Sequence, residues 1–141
     1  MNKADLVKQW FDIASDDLRS AAFLFDNLYP KPIEIICYHC QQAVEKALKG
    51  YLIDHDIEPP YIHDLNKLLL QCEEYDTSFI VLQELCRKLT DFATATRYPS
   101  PIDILETDAV YALEKAEDAY GFCAELVPSL QHRQESDQKT E

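Results

Sequence analysis

Apolar residues return at intervals of three and four along almost the whole chain, a rhythm that admits little other than packed helices. Over residues 4–27 the recurring positions are Val7, Trp10, Phe11, Ala14, Leu18, Ala21, Ala22 and Phe25. An α-helix turns once every 3.6 residues, so these side chains share one face. Asn2 offers a side-chain oxygen to the open amides of the first turn, and Asp5 suits the positive end of the helix dipole. Asn27-Leu28-Tyr29-Pro30-Lys31-Pro32 then stops the helix, because proline lacks an amide donor and restrains the residue before it.

The same rhythm predicts a second helix over 32–54, faced by Ile33, Ile36, Cys37, Cys40, Val44, Ala47, Leu48 and Tyr51. Proline is tolerated in its first turn, where the missing amide has no helical acceptor. A loop over 55–61 ends in Pro59-Pro60. A short helix is predicted from 63 or 64 to 72, with Leu65, Leu68, Leu69 and Cys72 inward. His63 and Asp64 are both placed to cap it, and aspartate is the better capping residue. A fourth helix is predicted over 77–95, with Leu82, Leu85, Cys86, Leu89, Phe92 and Ala93 inside. Residues 96–106 read as a loop containing Arg97-Tyr98-Pro99-Ser100-Pro101, and a last helix covers 107–130 with Ala109, Ala112, Leu113, Ala116, Tyr120, Cys123 and Val127 buried. The expected fold is therefore all-α: a five-helix up-and-down bundle, four helices long and one short, spanning residues 1–131. Residues 132–141 are polar and are expected to form a disordered tail.

Composition agrees. The chain has 141 residues and only two glycines, Gly50 and Gly121, whereas sandwiches and barrels lean on glycine at many tight turns. Hydrophobic residues at 47% and charged residues at 28% are the balance of one globular domain rather than a disordered chain. The formal net charge of −13 opposes non-specific binding to DNA, whose affinity comes from Lys and Arg releasing counterions. It equally disfavours anionic lipid. No apolar run reaches the roughly 18 residues of a membrane span, and the N-terminus lacks the apolar stretch of a signal peptide. Five cysteines, an odd number set mostly at apolar helical positions, suit a reducing compartment, and a cytoplasmic location is expected.

Four groups of residues bear on chemistry. Cys37-Tyr38-His39-Cys40 is a CxxC, but no second pair completes a zinc site and both cysteines fall on the apolar face, so they are read as core and no metal is expected. On the same helix His39, Gln42, Lys46 and Lys49 follow the three–four spacing, with Glu45 beside them. Two readings of this stripe are open. It is either a solvated face with pairs such as Glu45 to Lys49, or a site whose His and Gln hydrogen-bond a polar ligand while the lysines neutralise phosphate. His63-Asp64-Leu65 is either a histidine oriented by a carboxylate or a helix start that locks the preceding loop. Arg97, followed by Tyr98 and Pro99, is able to clamp a carboxylate or phosphate through two parallel hydrogen bonds. The acidic pairs Asp16-Asp17 and Glu73-Glu74 read as solvated surface. No phosphate-binding glycine loop, HExxH or GxSxG occurs.

Taken in order, Asp16-Asp17-Leu18, then Cys37 to Lys49 with its Gln41-Gln42-Ala43-Val44-Glu45-Lys46-Ala47-Leu48-Lys49 core, then His63-Asp64-Leu65 and Arg97-Tyr98-Pro99 form a combination that resembles the HEPN domain family over about residues 4–128. The resemblance implies a helical bundle that pairs as a homodimer, partnership with a small nucleotidyltransferase, often as a toxin–antitoxin pair, and nucleotide binding in related domains. It also implies, for many members, a metal-independent ribonuclease whose signature is an arginine, four to six residues and a histidine. Here Arg97 is the best positional match, but Ile102, Asp103 and Ile104 stand where the histidine belongs. The usual acid–base group is thus missing. The expected function is a non-catalytic module that binds a nucleotide, a nucleotidyltransferase partner, or both. Gln42, Lys46, Lys49, His63 and Arg97 would contact the ligand, supported by His39, Glu45, Asp64 and Tyr98. No cofactor is expected beyond a bound nucleotide. The alternatives are a ribonuclease toxin with a degenerate site built on Arg97 and His63, and a structural protein-interaction adaptor.

Overall fold

A computed structural model describes residues 1–97 and 103–131, with the side chains of Thr96 and Arg97 outside the description. Among the described residues the order is α1 (Lys3–Asn27), α2 (Ile33–Asp54), α3 (Leu65–Tyr75), a 3-10 helix (Thr77–Leu82), α4 (Gln83–Arg97) and α5 (Glu106–Glu125), with no strand. The all-helical class is as the periodicity predicts. The helix count is not, because the element expected over 77–95 is divided in two.

The caps explain most boundaries. The Asn2 side chain accepts from the Asp5 amide at 2.8 Å, which opens α1. Asp64, not His63, opens α3, its carboxylate accepting from the amides of Asn66 and Lys67 at 3.0 and 3.2 Å. Asp76 accepts from the amide and hydroxyl of Ser78 and so ends α3 while starting the 3-10 helix. Phe79 and Leu82, three residues apart, are both buried. A 3-10 helix repeats every three residues, so both side chains stand on its inner face. α5 stops at Glu125, before Pro128, which removes an amide and disfavours helix in the residue ahead of it. Residues 128–131 take one further helical turn. Tyr98 to Ile102 and the tail 132–141 lie outside the described residues.

α2 is the central rod. It packs against α1, α3, α4 and α5, and from Ala43 to Leu52 all but Lys46 are buried. A helix that is apolar nearly all round belongs inside. α1 lies antiparallel to it, since Lys3 of α1 donates to the carbonyl of Asp54 at the far end of α2. Gly50 allows the close approach. A methyl group there would stand 2.7 Å from Phe11 Cε2 and 3.3 Å from Trp10 Cβ. The core then fills with Phe11, Ile36, Leu48, Tyr51, Phe79 and Leu89, with Phe11 edge-on to Tyr120 and Phe79 edge-on to Phe122.

The five cysteines are free and buried. Burial pushes the thiols of Cys37, Cys40, Cys72 and Cys86 up to about 12, and Cys123 is raised as well. Cys37 and Cys40 therefore pack as small apolar residues, as their helical position indicated.

Candidate functional site

The polar stripe of α2 resolves into two clusters, each centred on a carboxylate. In the first, Asp17 of α1 faces α2. Its Oδ1 accepts from Nδ1 of His39 at 3.0 Å, and its Oδ2 accepts from Nζ of Lys46 at 2.6 Å. The Asp17 side chain keeps only 13% of its exposure. It is therefore not the solvated surface group expected of an acidic pair. Asp17 follows Ala14 by three residues and precedes Ala21 by four, both fully buried, and this spacing is the signal that marks it as inward-facing. Asp16 remains exposed beside Arg19. The cluster links helices 29 residues apart in sequence and fixes their register.

The second cluster is centred on Glu45 of α2. Its side chain is 4% exposed, and it holds Lys49 one turn on, Nζ to Oε2 at 3.4 Å, with Lys49 itself 8% exposed. Its other oxygen accepts from Nδ1 of His63 at 2.9 Å. A carboxylate only accepts, so the imidazole carries hydrogen on Nδ1. The histidine is thus oriented by a carboxylate, but by Glu45, 18 residues away, rather than by neighbouring Asp64, which is occupied with the α3 cap. The His63 ring keeps 70% of its exposure. Gln41, buried and not singled out by spacing, donates from Nε2 to the His63 carbonyl at 3.2 Å, and Gln42 donates in turn to Gln41 Oε1 at 3.1 Å. The loop before α3 is therefore tied to α2 by both its backbone and its side chain. The Lys49 ammonium also lies 5.8 Å from the Trp10 ring centroid, within range of a cation–π attraction.

Lys46 and Lys49 are each held by a carboxylate of the same chain, and His39 and His63 share those carboxylates. Removing one member of such a pair strands a charge, and the pairs tie α1 to α2 and the loop before α3 to α2. Arg97 is the last residue of α4 rather than part of a loop. Its side chain and Tyr98 lie outside the described residues. Among the described residues no group of three His, Cys, Asp or Glu is placed to hold a metal ion, and no helix is long and apolar enough to cross a membrane.

No curated protein and no solved structure matches the chain at a significant level. The sequence model of the HEPN domain does match, over residues 7–126, which takes in all five α-helices from the second turn of α1 onward. With the helical bundle and that match over most of its length, the chain belongs to the HEPN domain family.

Proposed function

We propose that this protein is a non-catalytic HEPN module whose ligand is a protein, of the small nucleotidyltransferase kind that the family resemblance implies, rather than a free nucleotide. The observation that carries this is the internal pairing of the stripe. A phosphate needs cations that are free to meet it, and Asp17 and Glu45 already hold Lys46 and Lys49 at 2.6 and 3.4 Å. The net charge of −13 adds a repulsive field. Meanwhile apolar side chains stand in solvent where α1 meets α2: Phe23, Leu28, Tyr29, Ile35 and Tyr38 are all more than half exposed or at that limit. Exposed apolar side chains gathered at one turn suit a protein contact better than a nucleotide.

Two measurements test the reading together. The chain is co-expressed with the nucleotidyltransferase encoded nearest to it and run on size exclusion, and its melting is followed against ATP, GTP, AMP and GMP. Co-elution at a fixed ratio with no nucleotide shift is expected. A ligand that binds only the folded state raises the melting temperature, so a clear nucleotide shift lost in Lys46→Ala with Lys49→Ala would replace this reading with nucleotide binding.

One observation favours a second reading, ribonuclease activity. His63 is exposed and oriented by a buried carboxylate, the arrangement of a general base. RNA cleavage by the wild type that disappears in both His63→Ala and Arg97→Ala, with melting preserved, would establish it.

A further inference from the structure

We infer that the groove between the N-terminal half of α1, the C-terminal end of α2 and the proline loop after it is where a short cationic, apolar segment of the protein partner docks; this rests on the protein-binding reading above. The groove has a volume of about 530 Å3, and Leu6, Trp10, Ile53, Ile57, Pro60 and Tyr61 form its apolar walls. That volume takes one or two side chains of a short segment, not the face of a whole helix. Its charged rim decides the chemistry of the occupant. Lys49 lines the groove but is cancelled by Glu45. Lys3 meets Asp56 at 3.3 Å in an exposed pair that an incoming cation can replace at Asp56, and the carboxylate of Glu58 stands in excess. A nucleotide in this groove would bring its phosphates to carboxylates, with both nearby ammonium groups already held. A lysine or arginine flanking an apolar residue finds the reverse, and the charge of the whole chain steers it in.

Asp56 also holds an unusual backbone position. The end of α2 is a Schellman turn, in which the Ile57 amide donates to the Leu52 carbonyl and the Asp56 amide to the Ile53 carbonyl. The residue in the left-handed position of such a turn is usually glycine. Here it is Asp56, at φ 61°. Its pair with Lys3 is an exposed one, with the Asp56 side chain 80% accessible, and contributes little to folding. The turn thus accepts backbone strain and presents a carboxylate at the groove mouth, as expected where a ligand is clamped.

Trp10 is the single tryptophan of the chain and lines the groove, so its fluorescence reports occupancy directly. The full-length protein is titrated with a synthetic ten-residue peptide of alternating Arg and Leu, with the same peptide carrying Glu for Arg, and with adenosine and AMP. A saturable change in Trp10 emission with the Arg–Leu peptide alone is expected, weakened roughly tenfold or more in Asp56→Lys with Glu58→Lys. Glu58→Lys by itself, at an exposed position, guards against a folding defect and is expected to give a smaller loss of the same sign. No saturable change, a change indifferent to charge reversal, or saturation by adenosine instead would overturn the inference. The co-elution experiment separates it from the broader reading. A complex that survives Asp56→Lys with Glu58→Lys unweakened removes the groove and keeps the protein partner, whereas a wild-type chain that forms no complex removes the partner reading while the peptide titration still decides the groove.

Discussion

The two glycines should respond to the same substitution with opposite signs. In a helix interior, alanine is favoured over glycine by about 1 kcal/mol, because glycine loses more backbone freedom on folding. Gly121→Ala should realise that gain, since a methyl group there meets nothing within 4 Å. Gly50→Ala should not. Its methyl would lie 2.7 and 2.9 Å from two ring carbons of Phe11, well inside the ~3.5–4.0 Å of a normal carbon contact. Phe11 is 1% exposed and its ring is pinned edge-on against Tyr120 at 5.7 Å, so it has little room to turn away. Overpacking of this kind costs about 1–3 kcal/mol. Set against the helical gain, the net loss for Gly50→Ala is up to about 2 kcal/mol, or a fall of up to roughly 8 °C in melting temperature for a domain of this size. Circular-dichroism melts of the two variants beside the wild type make the measurement. A Gly50→Ala protein that melts above the wild type would refute the close approach of α1 and α2 on which both the core and the groove rest.

Three further outcomes follow from the charges and thiols. Glu45→Leu strands the buried Lys49 ammonium and should cost about 3–5 kcal/mol, whereas Glu45→Leu with Lys49→Leu should recover most of it; equal losses in urea melts would mean that the pair does not act as one unit. Hydrogen bonds from the Ser78 hydroxyl and amide hold the Asp76 carboxyl below its ordinary 3.8. A depressed folded-state pKa stabilises above the unfolded value and loses that contribution as pH falls through the folded one, so the melting difference between wild type and Asp76→Ala should be full at neutral pH and narrow below about pH 4; a difference constant with pH would count against the cap. The native protein should resist iodoacetamide at pH 8, because burial raises the thiols of Cys37, Cys40, Cys72 and Cys86 to about 12 and that of Cys123 well up too, while all five cysteines should label in denaturant; rapid labelling of Cys37 or Cys40 in the folded protein would contradict their core position.

Several features of the fold were legible because they depend on neighbours in sequence. The faces of α1 and α2, the Asn2 cap, the preference for Asp64 over His63 and the apolar role of the CxxC all follow from spacing and local chemistry. The division of the fourth predicted helix was harder to read. Phe79, Leu82, Leu85 and Leu89 keep a spacing that suits either helix type, and only Asp76 with Ser78 signals that a new element starts there.

What the sequence determined by itself is the helical class, the inward stripes and the strongly acidic field, since periodicity and charge are properties of the linear chain. Only the tertiary structure decided what the polar residues do. The Glu45–Lys49 pair follows from its spacing of four, but the Asp17 partner of Lys46 and His39 comes from another helix, and His63 has its carboxylate partner 18 residues away instead of next door. A charge on a helix face carries no label of its partner. That partner is chosen by which helix packs against it, and Gly50, by letting α1 lie against α2, makes that choice here.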